Sequence, residues 1–151
     1  MSLDVTIRPV VAGDESEWRR LWTAYLTFYG ASVTEEVYRS TFSRITGDDD
    51  ALPRGLVADA GEGRLVGLTH YMFHPHCWRI EPVCYLQDLY ADEAVRGTGI
   101  GRALIEAVYA KADAAGAPTV YWMTQEFNET ARRLYDRIAD VTPFIKYQRR
   151  A

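Results

Sequence analysis

A glycine-rich segment in the second half of the chain decides the fold: Val95-Arg96-Gly97-Thr98-Gly99-Ile100-Gly101-Arg102. It follows an apolar stretch and precedes a run of residues with helical spacing. Glycines leave the backbone open to close approach by a ligand. The first N–H groups of a helix lack intrahelical partners, and the helix dipole adds about half a positive charge there. The segment therefore predicts a strand, loop and helix that bind an anion, with Arg96 and Arg102 adding positive charge.

The spacing of these glycines disfavours two common phosphate-binding loops. A Walker loop needs Gly-x-x-x-x-Gly-Lys followed by Ser or Thr, and the segment contains no lysine. A dinucleotide fingerprint needs glycine at its sixth position, which is Arg102 when counted from Gly97 and Leu104 when counted from Gly99. What remains is the pattern Arg96-x-x-Gly99-x-Gly101, with a tight turn that binds no ligand as the alternative.

On both sides of this loop, the sequence predicts helices and strands of one domain. The capping-box pair Asp14 and Glu17 predicts the start of a first helix, and Thr34 is expected to cap a second. The predicted strands are 3–9, 56–58, 65–68, 81–91, 120–123 and 144–147. The predicted helices are 15–30, 34–47, 99–115 and 128–139.

Composition limits the class of protein. The 151 residues suit one domain, and 48% hydrophobic with 25% charged residues is typical of a folded globular chain. A net charge of −4 disfavours nucleic acid as a partner, and without a long apolar run or a signal-like start we expect no membrane association and a cytoplasmic location. The two cysteines, Cys77 and Cys84, are expected to be reduced thiols.

The pattern Arg96-x-x-Gly99-x-Gly101 resembles the signature of the GCN5-related N-acetyltransferase (GNAT) family, and the predicted order of elements is similar to that family's domain. The stretches 85–91 and 128–135 resemble its diamine and histone/polyamine acetyltransferase branch. The resemblance implies a single α/β (α+β) domain, 1–151 with a core of about 4–148. It also implies a mixed, mostly antiparallel sheet with helices on both faces, and two strands that splay apart to admit acetyl-CoA.

The resemblance also implies how acetyl-CoA is held. The glycine loop would bind its pyrophosphate, the backbone of Leu89 to Ala91 would pair with the pantetheine arm, and Asn128 would contact the cofactor. Asn128, Ala131 and Tyr135 share one helix face, where the small Ala131 permits close approach. The expected cofactor-binding residues are Leu89, Tyr90, Ala91, Arg96, Gly97, Thr98, Gly99, Ile100, Gly101, Arg102, Asn128, Ala131 and Tyr135.

Two residues are candidates for catalysis. Tyr135 would face the sulfur of the thioester, and its phenol can protonate the leaving thiolate as a general acid. Its alternative role is that of a half-buried helix tyrosine. Asp88 is a candidate general base or amine anchor, or else a structural carboxylate. Relatives in the diamine branch commonly carry Glu-Asp where this chain has Gln87-Asp88, and Gln87 cannot accept a proton.

The acceptor is expected to be the primary amine of a small molecule, acetylated by direct attack in a ternary complex. Tyr25, Phe28 and Tyr29 are candidate acceptor contacts, with Gln87 and Asp88, because aromatic faces attract ammonium ions. Two alternatives are a protein or peptide (lysine or N-terminal) acetyltransferase and a non-catalytic acyl-CoA sensor.

Two further expectations concern metals and assembly. The cluster of His74, His76 and Cys77 lacks a fourth ligand, and acyl transfer from a thioester needs no metal, so none is expected. Relatives often pair through their sheets or C-terminal strands, which makes 144–147 the predicted interface of a possible homodimer.

Overall fold

The fold is a five-stranded sheet in the order β1 to β5, with helices on both faces. We analysed a computed structural model, which describes residues 4–151. The strands are β1 (Thr6–Pro9), β2 (Arg54–Asp59), β3 (Leu65–His74), β4 (Val83–Ala91) and β5 (Val120–Tyr121). The helices are α1 (Glu15–Phe28), α2 (Glu35–Ile45), α3 (Ile100–Ala114) and α4 (Glu129–Ile138), with short 3-10 turns at Ala12–Asp14 and Glu93–Val95. Leu3, in the predicted first strand, lies outside the described residues.

The sheet is antiparallel from β1 to β4 and becomes parallel at its last pair. β5 pairs with β4 only at Cys84↔Val120 and Tyr85↔Tyr121. From Leu86 to Ala91, β4 has a neighbour on the β3 side alone. This stretch is the open edge that the sequence led us to expect between two diverging strands.

Each face of the sheet buries its own core. Helices α1 and α2 cover one face, where Trp18, Leu21 and Phe42 pack against residues of β2 and β3. Helix α3 covers the other face through Leu104, Ile105, Val108 and Ala112. The helices on both faces and the mixed sheet confirm the predicted fold class.

A close contact fixes the start of α3 against the sheet. A Cβ on Gly67 of β3 would lie 2.9 Å from Ile100 Cγ2 and 3.1 Å from Leu104 Cδ1. These separations are shorter than side chains tolerate, so the absence of a side chain at Gly67 lets the helix approach the strand. The contact places the glycine loop beside the C-terminal end of β4.

A β-bulge interrupts β4 and breaks the regular alternation of side chains between the two faces of a strand. His70 pairs with Asp88, whereas the next residue, Tyr71, pairs with Leu86, so Gln87 is an extra residue with no partner on β3. The bulge reverses which side chains face α1 beyond it. Leu86 and Leu89 face the α3 core, while Asp88 faces α1. Strict alternation would have placed Leu86 and Asp88 on the same face.

The helix caps follow the sequence prediction only in part. Thr34 Oγ1 accepts a hydrogen bond from the N–H of Val37 at 3.4 Å, which confirms the cap of α2. The predicted capping box at the start of α1 is wrong, because the side chain of Asp14 accepts no hydrogen bond from the first N–H groups of that helix. Instead, Asp14 accepts two hydrogen bonds from Arg8, at 2.8 and 2.9 Å. The same carboxylate also accepts from the N–H of Val11 at 2.9 Å, so its oxygens bond to Arg8 and to the preceding turn instead of to α1.

The last predicted strand is also wrong. Residues 144–147 form no strand, and Phe144, Ile145 and Tyr147 are exposed by 79%, 76% and 90%. A sequence typical of strands forms one only where a neighbouring edge and a surface to cover are present. The preceding strand is shorter than predicted, since β5 ends at Tyr121. Among residues 4–151, no helix is both long and apolar enough to cross a bilayer.

Candidate active site

The glycine loop presents a row of backbone N–H groups to solvent. Gly97 and Gly99 have φ of +83° and +88°, a region that favours glycine, and no atom would lie within 4 Å of a Cβ at either position. Helix α3 makes its first backbone hydrogen bond from Ala103 to Gly99. Within residues 4–151, no acceptor pairs with the N–H groups of Gly97, Gly99, Ile100, Gly101 and Arg102. Such a nest of donors at a helix start suits a phosphate or pyrophosphate.

The three polar side chains of the loop, Arg96, Thr98 and Arg102, each contact a different part of the structure. The guanidinium of Arg96 lies over the ring of Tyr90, 5.6 Å from its centroid, and Nε donates to the carbonyl of Ala91. Arg96 therefore links the loop to the end of β4. Arg102 forms an ion pair with Glu106 at 2.8 Å, which offsets part of its charge. Thr98 donates its hydroxyl to the carbonyl of Val95 and closes the turn.

Helix α4 packs on the α3 side of the sheet, near Gly101 of the glycine loop. Asn128 caps it, its Oδ1 accepting from the N–H of Ala131 at 3.4 Å. Leu134, Tyr135 and Ile138 pack against the α3 core, yet α4 contains no fully buried residue. The helix is therefore held by the one face that carries these three residues.

Tyr135 lies on this face in an apolar setting. Its ring meets Trp122 edge-on at 5.4 Å between centroids. Burial, followed by the nearby Tyr29, raises the pKa of Tyr135 to about 12. The phenol consequently keeps its proton at neutral pH, as a proton donor must. Tyr29 lies at the end of α1, on the opposite face of the sheet from α3. Side chains from the two faces therefore come close together here.

On the α1 side, a buried hydrogen-bond chain holds Asp88. The indole N–H of Trp18 donates to His70 Nε2 at 2.9 Å, and His70 Nδ1 lies 2.8 Å from Asp88 Oδ2. An indole nitrogen can only donate, so Nε2 is the acceptor and Nδ1 carries the proton that His70 donates to Asp88. Trp22 donates a second indole N–H to the same Oδ2 at 3.3 Å. These donors fix the position of the carboxylate.

These contacts favour the charged form of Asp88. The residue is only 8% exposed, and its burial opposes ionisation. Hydrogen bonds outweigh that burial, with His70 contributing most, and hold the pKa of the Asp88 carboxyl below its ordinary value. Burial and then the charge of Asp88 raise the pKa of both Tyr25 and Tyr29. Asp88 is thus a fixed anion among neutral phenols.

The structure brings the predicted aromatic residues together at the end of α1. Tyr25 packs on Tyr29 at 5.1 Å between centroids and meets Tyr90 of β4 edge-on at 6.5 Å. Phe28, whose side chain is 57% exposed, packs on Tyr29 at the solvent-facing side of this cluster. Gln87, at the bulge, is exposed beside the buried Asp88. Tyr25, Phe28 and Tyr29 therefore form one aromatic cluster next to β4, and Gln87 and Asp88 lie together at the bulge.

Sequence reasoning missed His70, Trp22 as a donor, and Tyr85. Trp18 and Trp22 are core residues as their spacing predicts, yet each also donates its indole N–H to the Asp88 network. Tyr85 of β4 stacks on Tyr121 of β5, with 4.8 Å between the ring centroids, and adds a further aromatic pair next to Asp88. A signal for His70 was present in the sequence: it is a polar residue in an apolar strand, and such a residue needs a hydrogen-bonding partner.

A cavity of about 130 Å³ opens beside Asp88. Trp22, His70 and Asp88 line it together with Gln87 of the bulge and Arg44 of α2. A larger cavity, about 380 Å³, is lined by Asp50, Arg54 and Lys111 and includes no residue of the glycine loop or of the Asp88 network. The smaller cavity is the one connected to the candidate site.

The histidines and cysteines have separate surroundings. His74 lies 2.8 Å from the Pro75 carbonyl oxygen and 2.8 Å from the hydroxyl of Tyr121. Cys77 is exposed, and burial raises the pKa of the Cys84 thiol to about 11. Over residues 4–151, no three His, Cys, Asp or Glu side chains group closely enough to hold a metal ion.

Comparison with known proteins agrees with this geometry. The sequence profile described as the acetyltransferase (GNAT) family matches residues 18–139. The chain is 37% identical over 145 residues to the D-amino-acid N-acetyltransferase HPA3 of Saccharomyces cerevisiae, covering 96% of this chain and 90% of that protein.

Solved structures share the fold at low sequence identity. A ribosomal-protein-alanine N-acetyltransferase from Brucella melitensis biovar Abortus superposes with a TM-score of 0.80 at 22% identity, over 98% of this chain and all of the other. The aminoglycoside N-acetyltransferase AAC(6′)-Iy, crystallised with CoA, has a TM-score of 0.83 at 16% identity, over 97% of this chain and 95% of that one.

The His70 network yields a stability prediction. His70→Leu leaves the buried Asp88 carboxylate and the Trp18 N–H without their partner. We expect it to lower the free energy of unfolding by about 3 kcal/mol, measured by urea denaturation. His70→Gln, whose amide can both accept and donate, should recover part of that loss. His76→Leu in the connection after β3 is the control and should cost less than about 0.5 kcal/mol. Equal stability of His70→Leu and the unaltered protein would contradict the network.

Proposed function

The chain belongs to the acetyltransferase (GNAT) family, and we propose that it transfers the acetyl group of acetyl-CoA to the primary amine of a small molecule. One observation carries the proposal. Strand β4 joins the two ends of the site: its edge from Leu86 to Ala91 pairs only with β3 within the described residues, the unpaired N–H groups of the glycine loop follow its C-terminal end, and the anionic Asp88 lies within it. We infer a groove along this edge, with Tyr135 on its far wall. The groove offers an anion site at one end and a site for a positively charged amine at the other.

The residues present suit acetyl-CoA, which the family uses. Bound there, acetyl-CoA supplies an activated acyl group as a thioester. The five N–H groups at the start of α3, with Arg96, would hold its pyrophosphate. The backbone of Leu89 to Ala91 would pair with the pantetheine arm as a neighbouring strand does, because this edge of β4 has no other partner on that side. Asn128 and Ala131 would line the opposite wall.

Transfer would proceed by direct attack in a ternary complex, after the bound ammonium group has released one proton to solvent water. The neutral nitrogen would form the C–N bond as the C–S bond breaks, and the second proton lost from nitrogen would return through water to the Tyr135 phenolate. Tyr135 would donate its proton to the sulfur as the thiolate leaves, and its raised pKa keeps that proton in place until then. Leu89 follows Asp88 directly in β4, so an acyl group held beside Leu89 and an amine anchored by Asp88 would meet at adjacent residues of the strand. Holding both reactants in one groove supplies the proximity that the reaction needs.

Asp88 would anchor the amine rather than remove its proton. A carboxylate with a lowered pKa is a weak base, and its Oδ2 already accepts hydrogen bonds from His70 and Trp22. A fixed anion still attracts an ammonium group, and the rings of Tyr25 and Tyr29 add attraction for a cation. The similarity to a D-amino-acid N-acetyltransferase supports an amino acid as the amine.

Three expectations from the sequence stay predictions: that 1–151 is a single acetyltransferase domain with a core of about 4–148, that it acts in the cytoplasm, and that two copies form a homodimer. The exposed side chains of Phe144, Ile145 and Tyr147 support the interface predicted at 144–147, because solvent-exposed apolar residues in sequence favour a partner.

The function is tested with a panel of acceptors. The purified protein is mixed with acetyl-CoA and either amino acids, aminated sugars, diamines or short peptides, and the released CoA thiol is measured. We expect acceptor-dependent release with small amines, and Gly99→Val should raise the KM for acetyl-CoA about tenfold because its side chain enters the loop. Gly61→Val, at a similar φ of +90° in a remote turn, is the matched control. Binding of acetyl-CoA without release for any acceptor would indicate a sensor, and release with peptides alone would indicate a peptide acetyltransferase.

Removing the proposed proton donor should slow the chemical step. Tyr135→Phe keeps the ring that packs on Trp122 and deletes the hydroxyl, so kcat should fall about 100-fold while the KM for acetyl-CoA changes less than about threefold. Steady-state kinetics measure both. Tyr147→Phe, at an exposed tyrosine, should leave kcat unaltered. Full turnover in Tyr135→Phe would remove the assignment.

The pH dependence of kcat/KM distinguishes an anchor from a base. Because its hydrogen bonds lower the pKa of Asp88 from the ordinary value of a carboxyl, the group stays charged from about pH 6 to about pH 9 and does not titrate in that range. Asp88→Asn should therefore lower kcat/KM about 10- to 100-fold at every pH without moving the profile. Asp113→Asn, exposed on α3, is the control. Loss of the acidic limb in Asp88→Asn alone would make Asp88 the general base.

A further inference from the structure

Two opposite charges face the 130 Å³ cavity beside β4 without forming an ion pair. Asp88 lies at its buried end, and Arg44, in the last turn of α2, lies at its exposed rim. No side-chain hydrogen bond or ion pair involves Arg44 anywhere in residues 4–151. On the same helix, Arg39 is by contrast paired with Glu35 at 3.2 Å. An unpaired guanidinium directed at a cavity with a buried carboxylate calls for a ligand that carries both charges.

We propose that this cavity binds the head of an α-amino acid, with Arg44 holding the α-carboxylate while Asp88 holds the α-amine. The inference rests on the proposed transfer of an acetyl group to an amine and names the class of acceptor. Guanidinium is the side chain best suited to a carboxylate, because its planar donors match the two carboxylate oxygens. Arg44 is thus a specificity-determining residue that touches the substrate.

The neutral side chain of Gln87 fits the same ligand. The β-bulge leaves Gln87 without a β3 partner and exposes its amide at the cavity wall, next to Asp88. The two hydrogens on its amide nitrogen, Nε2, can donate to a carboxylate. Thr41 of α2 adds a hydroxyl to the same wall of the cavity. A glutamate at position 87 would instead repel the carboxylate. Gln87, which stands where the diamine branch commonly has a glutamate, would therefore serve as a neutral donor to the carboxylate.

Charge disfavours a diamine in this cavity, and its size suits a small ligand. A second ammonium group would meet the positive charge of Arg44 rather than a second carboxylate. The volume of about 130 Å³ is well below the roughly 300–1,000 Å³ of pockets that enclose larger ligands. The cavity matches a compact head group, and the side chain of the amino acid would extend towards the rings of Tyr25 and Tyr29.

The test compares each enantiomer of alanine with the corresponding alaninamide, which keeps the amine and the shape but lacks the negative charge. The measured quantity is the ratio of kcat/KM for acid to kcat/KM for amide. Arg44→Gln should lower this ratio about 10- to 100-fold, chiefly through the acid, because it removes a charge-assisted hydrogen bond. Arg44→Lys keeps the charge and should recover part of the ratio.

Two further variants sharpen the comparison. Gln87→Glu should lower the ratio in the same direction, since it adds a negative charge beside the carboxylate. Arg39→Gln removes an exposed arginine of the same helix and should leave the ratio unchanged. Thermal unfolding checks that each variant is folded, as expected for substitutions at exposed positions. An unchanged ratio in Arg44→Gln, or equal losses for acid and amide, would overturn the proposal.

Binding separates this inference from the proposed function. Calorimetric titration of alanine into the protein saturated with CoA measures binding without turnover. If no amine is acetylated but alanine binds and Arg44→Gln abolishes that binding, the cavity assignment stands and the acetyltransferase proposal fails. If small amines are acetylated but alanine neither binds nor reacts better than alaninamide, the transfer activity stands and the role of Arg44 is wrong.

Discussion

The extra residue in β4 is the constraint on which the site depends. Without the bulge at Gln87, Asp88 would share a face with Leu86 and lie in the apolar core under α3. With it, Asp88 turns towards α1, where two indole N–H groups and an imidazole are available. The same stretch of β4 lies just beyond its last pair with β5, so one irregularity places a charge at the point where the sheet opens. Bulges near functional sites commonly redirect side chains in this way.

The surroundings of Asp88 explain why a buried charge is tolerated there. Desolvation of a carboxylate is costly, and the cost is met only when hydrogen bonds satisfy the charge. His70 and Trp22 supply these hydrogen bonds, and Trp18 donates to His70 and orients its ring. The two tryptophans also fill the core between α1, α2 and the sheet. The same tryptophan side chains therefore pack the core and stabilise the charge of Asp88. A substitution that disturbs this core would also disturb the charged form of Asp88.

The two ends of the groove handle charge by different means. At the start of α3, backbone N–H groups present partial positive charge without any buried cation, so the net charge of −4 does not oppose an anionic ligand. At the other end, a single buried carboxylate and neutral phenols present negative charge to an amine. Local arrangement outweighs overall charge at both ends.

The sequence by itself determined the order of elements from β1 to α4, the glycine loop and the positions of Tyr135 and Asp88, because hydrophobic periodicity and glycine spacing are local signals. Tertiary structure alone decided the bulge at Gln87, the partnership of His70 with Trp18, and the position of Arg44 at the same cavity as Asp88. These features join residues up to 66 positions apart, as in the bond from Trp22 to Asp88. It also decided that 144–147 is not a strand, since pairing requires an edge that no local pattern can supply.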